Sequence, residues 1–502
     1  MDPVQDLLFG LSIALQPENF IYSFLGCVIG TIVGVLPGIG PLAAVSLLLP
    51  GTFGLDATKA VILLGGIYYG AMYGGSTTSI LMRIPGEAAS IVTCLDGYAM
   101  AQKGRAGPAL MIAAVGSFVA GTLAVAALTV LAPLLARFAL RFGPPEYTAL
   151  LLFGLVVLSY MSGRSMLKAL AMVAVGLLLG MIGIDLAAHM RFTYGLTELA
   201  DGIGIVPVAV GLFGLSEILT TAGQATPPQV YKPRLGDLPP SKEEWRASVG
   251  PIGRGTVVGF AVGALPGPAH IIASFASYAL ERRLTRHPER FGEGAIEGVA
   301  GPESANNAAA QAAFAPMLAL GVPSNAIMAM MMAAMMIHGV LPGPLLIRQN
   351  PEVFWGFMAS MYVGNVVLLI LNLPLVGLFV NLLRIPYRTL YPLIVLFCIL
   401  GVYAVNGSVF DVGIMTVMGL VGYLLRKFDF EAAPIGIGLV LAPTLEISLR
   451  QSLILSKGSY VIFFERPIAA TLLAAGAAVL LLALLSVVRR TLKRRGPLAT
   501  GT

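Results

Sequence analysis

Two polar islands stand out in an otherwise apolar chain. The first, GGSTTS, sets Gly74, Gly75, Ser76, Thr77, Thr78 and Ser79 in a row, followed by Arg83 and the Pro85-Gly86 pair. The second runs GPESANN and then GVPSN, which supplies Glu303, Ser304, Asn306 and Asn307, then Gly321, Pro323, Ser324 and Asn325. Hydroxyl and amide oxygens of this kind coordinate a small cation, and their hydrogens and nearby backbone N–H groups bind carboxylates. A carboxylate such as Glu303 in apolar surroundings is expensive and marks a functional position. These residue types suit the holding of an anion beside a cation. Bond-making chemistry has no such support: the chain carries no HExxH and no P-loop, and its four histidines, His189, His270, His287 and His338, are dispersed, so no enzyme is expected.

A second pair of features supports the same chemistry. GVLPGIGP at 34–41 and GALPGPAH at 263–270 break apolar segments in the same way, at Pro37-Gly38 and Pro266-Gly267. A proline inside a helix costs about 3 kcal/mol and a glycine about 1, and a freed backbone group facing lipid costs several more. Such breaks are tolerable where they line a cavity, with half-helix ends pointing into it. The expected substrate contacts are therefore Pro37, Gly38, Gly74, Gly75, Ser76, Thr77, Arg83, Pro85, Gly86, Pro266, Gly267, Pro323, Ser324 and Asn325. Thr78, Glu303, Ser304, Asn306 and Asn307 are expected at the cation. Tyr68, Tyr69 and Tyr73, at near-helical spacing, read as packing, and His338 as a satisfied helix residue. Cys27, Cys94 and Cys398 are too few and too scattered for a disulfide framework or a metal site, and no metal is expected beyond a sodium ion.

The elements that must position these residues follow from composition. Of 502 residues 57% are hydrophobic and 11% charged, and the mean hydropathy is +0.86. This is an all-α polytopic membrane protein, with about a dozen membrane segments expected. Uncharged spans are read near 108–136, 147–162, 167–184, 204–221, 355–381, 386–404, 409–425, 434–448 and 467–488, and 60–96 and 292–341 as broken stretches. Gly30, Gly34, Leu36, Pro37 and Gly38 superpose on Gly259, Gly263, Leu265, Pro266 and Gly267 at one constant offset. The reading is an N-terminal half, 1–222, a cytoplasmic linker, 223–252, a C-terminal half, 253–448, and an extra helix with a basic cytoplasmic tail, 449–502. The repeats themselves span about 20–448.

Lys232, Arg234, Lys242, Arg246 and Arg254 before the second break, and Arg282, Arg283, Arg286 and Arg290 after it, place both flanks in the cytoplasm. The flanks of the first break, 1–18 and 51–58, carry no lysine or arginine. The two hairpins therefore enter from opposite faces, as in inverted-repeat transporters. The net charge of +6 is a loop asymmetry, and no basic soluble domain is present to hold nucleic acid.

Read together, GTIVGVLPGIGP, GGIYYGAMYGGSTTSIL, IPGEAASIVTCLDGYAMAQKGRAGPAL, GVAGPESANNAAA, LGVPSNA and MIHGVLPGP resemble, in order and over nearly the whole chain, the large membrane subunit of the tripartite tricarboxylate transporters. The resemblance implies a permease of the bacterial inner membrane, with a small membrane subunit of about four helices and a periplasmic solute-binding protein as partners. It further implies import of citrate-like or other carboxylates by symport with sodium or protons, and no other cofactor. Arg83 and Ser324 depart from the family pattern, where asparagine and glycine are frequent. An anion channel, a carboxylate permease without a binding protein and a membrane scaffold are the rival readings; accumulation of substrate separates the first from a transporter.

Overall fold

The computed structural model describes residues 3–36, 40–161, 165–185, 189–221, 237–382 and 387–494. Pro37 and Gly38 lie outside the described residues, as does the first part of the expected linker, 223–236. Among the described residues the only sheet is a two-stranded hairpin, Gly183–Ile184 with Met190–Arg191, and everything else is helix and connection. Among the described residues six helices are long and apolar enough to cross a bilayer: Pro17–Val35, Ala106–Ala139, Pro144–Met161, Pro351–Asn372, Val409–Lys427 and Ala433–Leu455. Seven shorter apolar helices accompany them, so the chain is a multi-pass, predominantly helical membrane protein.

Two compact units form, one from residues 1–139 and 204–425, the other from 140–203 and 426–502. Each draws segments from both expected halves of the sequence.

The larger unit is built on two similar assemblies. In the first, Pro17–Val35 packs along the Ala57–Met82 helix, here termed the first central helix, and Pro41–Leu48 follows the break. In the second, Lys242–Gly263 and Ala269–Leu284 form a helical hairpin on Glu297–Ala312, the second central helix. Local chemistry starts these helices. Pro17 occupies the first turn of its helix. Asp56 caps the first central helix by accepting from the Lys59 N–H at 3.0 Å. Ser241 and Glu244 form a reciprocal capping box. This box starts the Lys242 helix inside the segment expected to be linker.

Close packing in both assemblies runs through a ladder of small residues. A methyl added at Gly30 would stand 2.9 Å from the Gly70 Cα, and one at Gly34 2.9 Å from the Gly74 Cα. In the second assembly a methyl at Gly259 would stand 2.8 Å from the Ala305 Cα, and one at Gly263 2.5 Å from the Ala309 Cα. Small residues at four-residue spacing bring two backbones together where lipid supplies no hydrophobic drive between helices. Gly26 meets Gly66, 40 residues on, whereas Gly255 meets Gly301, 46 residues on. The second assembly thus holds a longer connection, which includes the charged stretch 285–296. Its two arms are tied by Arg254, whose Nε and Nη2 donate to the Glu281 carboxylate at 2.8 and 2.6 Å.

Both polar islands differ from the expected breaks. GGSTTS lies inside the first central helix, which runs unbroken to Met82 and ends at Arg83 in the left-handed conformation, φ 58°. Packing against Gly34 and Val35 holds Gly74 helical, and Ser79 returns its hydroxyl to the Gly75 carbonyl at 2.9 Å, so no turn is needed. GPESANN is likewise helical, with Pro302 inside the second central helix. The real interruptions are 83–87 and 321–325, where Gly321 takes φ 68°. The expected span 355–381 is two helices, Pro351–Asn372 and Val376–Leu382, parted at Pro374, which cannot donate to a continuing ladder.

The smaller unit packs Met166–Gly180 and Pro144–Met161 on Ala433–Leu455, and Pro467–Arg494 on Pro144–Met161. Gly176 and Gly438 face each other there, a methyl on Gly438 falling 3.2 Å from the Gly176 Cα. Arg191, in the second strand of the small β-hairpin, grips Glu446 through two bonds of 3.0 Å, and Arg450 holds Asp185 at 2.9 Å.

Candidate functional site

The two central helices share a buried polar cluster. Glu303, 1% exposed, accepts from the Ser76 hydroxyl of the first central helix with one oxygen and from the Thr93 hydroxyl with the other. One turn on, Asn306 donates its Nδ2 to Glu87 Oε1 at 2.9 Å. Glu87 caps the short turn 88–91, accepting from the Ala89 N–H at 2.6 Å and also from Ser90. Asn307 donates to Ser117 of the long Ala106–Ala139 helix at 2.7 Å. Residues before and after the expected linker are thereby joined through side chains deep in the unit.

The segments that follow the breaks pack crosswise between the two assemblies. The turn 88–91, after Pro85-Gly86, packs on Ala269–Leu284, the helix that follows the second break. Reciprocally, Ala326–Ile337, after Pro323-Ser324, packs on Pro41–Leu48, the helix that follows the first. At the second break Gly267, φ 120°, donates its N–H to the Ser324 carbonyl at 2.7 Å. Asn325 caps Ala326–Ile337 through a 3.0 Å bond from the Met328 N–H and leaves its own Nδ2 buried and unpartnered. Near the first break Thr78 donates to the Val35 carbonyl at 2.9 Å. Glu87 and Asn325 thus hold matching posts, each an N-cap directly after a Pro-Gly or Pro-Ser turn.

Several expected residues serve main-chain contact. Gly74, Gly75 and Gly86 meet one another and Gly34 backbone to backbone, and a methyl on Gly75 would reach the Glu87 Cγ at 3.0 Å. Arg83 is exposed, and its guanidinium carbon lies 6.0 Å from the Tyr98 ring centroid. Ser76 and Thr77 line a cavity of about 10 Å³ with Tyr73, Ser117 and Asn372, room for one water. Tyr68 and Tyr69 are fully buried, Tyr68 edge-on to Phe314 at 5.7 Å. The His338 ring lies 3.3 Å from the Thr52 hydroxyl at the end of Ala326–Ile337. Several buried polar atoms near the cluster have no partner: Ser304 Oγ, Asn306 Oδ1, Asn307 Oδ1 and the Gln311 amide. Groups of this kind are what a ligand or ordered water satisfies.

Sequence reasoning missed Glu87, Thr93, Ser117 and Asp96. The rule that singled out Glu303, an acid in apolar surroundings, applies equally to Glu87 and Asp96. Asp96 is fully buried and gathers the N–H groups of Gly292, Gly294 and Ala295 on one oxygen at 2.8–2.9 Å, and the Tyr278 hydroxyl on the other at 2.9 Å. It fixes the start of the second central helix, and so the height of Glu303 and Asn306.

Comparison with known proteins agrees with the motifs. An uncharacterized 52.8 kDa protein in the TAR-I ttuC' 3' region of Agrobacterium vitis is 50% identical over 490 residues, 97% of this chain and 98% of that one. An uncharacterized protein in the TAR-II ttuC' 3' region of the same organism is 50% identical over 231 residues, 46% of this chain and 96% of its own length. No solved structure matches. Residues 20–437 match the tripartite tricarboxylate transporter TctA family, and the chain belongs to that family.

Proposed function

We propose that the chain is the large permease subunit of a tripartite secondary transporter that imports tricarboxylates or other organic carboxylates across a bacterial inner membrane. It works with a small membrane subunit and a periplasmic solute-binding protein, and a cation gradient drives it. The observation that carries this reading is the buried cluster in which Ser76, Glu87 and Thr93 meet Glu303 and Asn306. A structural helix contact has no need of two buried carboxylates and several orphaned amide oxygens.

The two halves, 1–222 and 253–448, are inverted repeats, with 223–252 and the C-terminus cytoplasmic. The guest's carboxylates sit at the paired breaks. Asn325 Nδ2, an unpartnered donor at the start of a twelve-residue helix, supports this placement. Moving an anion inward against an inside-negative potential costs about 2.3 kcal/mol per charge per 100 mV. Accompanying cations must offset it, and Thr78, Glu303, Ser304, Asn306 and Asn307 are the residues placed beside them.

The test is reconstitution of this chain with the other two components in liposomes, using labelled citrate as probe. Uptake is expected to saturate, to accumulate citrate above its outside concentration and to require the binding protein. Flux that only equilibrates citrate identifies a channel. Unchanged uptake per assembled complex in Asn306→Ala and Glu303→Gln identifies a scaffold role for the cluster.

A further inference from the structure

Glu87 and Glu303 are 6% and 1% exposed. Their oxygens accept only from neutral groups among the described residues: the Ser76 and Thr93 hydroxyls, the Asn306 amide and the Ala89 and Ser90 N–H groups. Taking an anion out of water costs several kcal/mol even after relaxation, and neutral hydrogen bonds recover only part of it. Two such anions in one cluster also repel. Among the described residues no cationic side chain bonds either carboxylate.

The unpartnered atoms narrow what neutralises the two carboxylates. Asn306 spends its Nδ2 on Glu87, which leaves Oδ1 beside that carboxyl, buried and without a donor, and Asn307 Oδ1 is in the same condition. In these two amides the open position is an acceptor, while Ser304 Oγ and both ends of the Gln311 amide nearby also lack a partner. No described group of three or more His, Cys, Asp or Glu side chains is arranged to hold a metal ion. The cavity that reaches Ser76 has about 10 Å³. A carboxylic-acid hydrogen needs no further room.

We propose that Glu87 and Glu303 hold one proton between them, and that this proton is the coupling ion. Its second clause rests on the transporter reading; its first stands without it. The proton enters on one carboxylate from the outer side and leaves to the cytoplasm, with no covalent step. Glu87, supplied by the N-terminal half, makes the site a joint of the two halves, and Asn306 is the residue that senses its charge.

Of the other charged and titratable groups on the surrounding elements, Arg83, four residues before Glu87, is exposed beside the Tyr98 ring. Cys94, Tyr68 and Tyr73 ordinarily ionise above neutrality. Asp96 is engaged by Tyr278, and Glu281 by Arg254. His270 stands at the start of the helix after the second break.

Infrared spectroscopy of the purified full chain in lipid nanodiscs reads the proton directly. At neutral pH the wild type is expected to show a buried carboxylic-acid band that the double variant Glu87→Gln, Glu303→Gln loses entirely, with the unfolding temperature reporting the fold. A wild-type spectrum without that band, or a band that survives the double change, overturns the proposal. Should the double variant not fold, Thr93→Val retains both acids and removes one donor to Glu303, so the band must move; an unmoved band is equally adverse. In liposomes holding the whole complex, an inward proton gradient is expected to raise citrate uptake severalfold in wild type and not in Glu87→Gln. Uptake driven by sodium and indifferent to the proton gradient overturns the coupling role. Loss of the band with no citrate accumulation under any gradient refutes transport and leaves the shared proton standing.

Discussion

Gly253 and Gly259 lie on one helix, six positions apart, and replacing each by alanine isolates the packing term. A methyl at Gly253 meets nothing within 4 Å. At Gly259 it would stand 2.8 Å from both the Ala305 Cα and the Ala308 Cβ, and against the Ala305 carbonyl. Those two contacts fall about 0.6 Å short of ordinary van der Waals distance, which begins at 3.4 Å. The helix-propensity gain of up to about 1 kcal/mol is common to both changes, so it cancels in their difference. What remains is overpacking, about 1–3 kcal/mol, or roughly 5- to 150-fold in the folded-to-unfolded ratio. Equilibrium unfolding in mild detergent measures it, with Gly253→Ala at or above wild type and Gly259→Ala below Gly253→Ala by that amount. Because the displaced partner is the second central helix, Gly259→Ala is also expected to lower uptake per folded complex. Two variants equal in stability within about 0.5 kcal/mol would refute the claim that the ladder is sterically full.

Thr93→Val and Ser76→Ala each remove one hydroxyl from Glu303; both are expected to reduce uptake by tenfold or more with assembly intact, a hydrogen bond to a charged group being worth about 1.5–3 kcal/mol. Asp96→Ala strands three backbone N–H groups at 292–295, so limited proteolysis should open that loop, and Asp96→Asn, which retains an acceptor, should open it less. At Asp56, burial raises the carboxyl, but the backbone and side-chain hydrogen bonds from Lys59 and its charge outweigh it, so the group titrates below its usual range. Its contribution is therefore present above the unfolded value of about 3.9 and lost as pH falls through the lower folded value; Asp56→Ala should depress the unfolding temperature at pH 7 and make no difference in strong acid.

Much of the architecture was legible in the chain itself. Composition identified the membrane class, and the glycines Gly30, Gly34, Gly259 and Gly263, read in the sequence as marks of a repeat, line the packing seams in the structure. Glu303 and Asn306 declared themselves as polar groups in an apolar run. The hydroxyl island misled because a string of Gly, Ser and Thr reads as a turn when its packing partner is unseen; the partner is Gly34 with Val35, and it holds the segment helical. Glu87 stayed hidden for a related reason. It follows Pro85-Gly86 directly, and the fold drives that segment into the protein against Asn306. The shift of six residues between the two ladders also defeats alignment at one offset, since the counterpart of Gly74 in the second assembly, the residue facing Gly263 as Gly74 faces Gly34, is Ala309 rather than Glu303.

Main chain rests on main chain along both ladders, with no interdigitating teeth that a change of rotamer could loosen. Each hairpin arm and its central helix must consequently travel as a single strut during turnover. The give has to come from the corners where the backbone already turns left, Arg83, Gly267 and Gly321. Stiffening those corners should slow the cycle while leaving the resting form as sturdy as before.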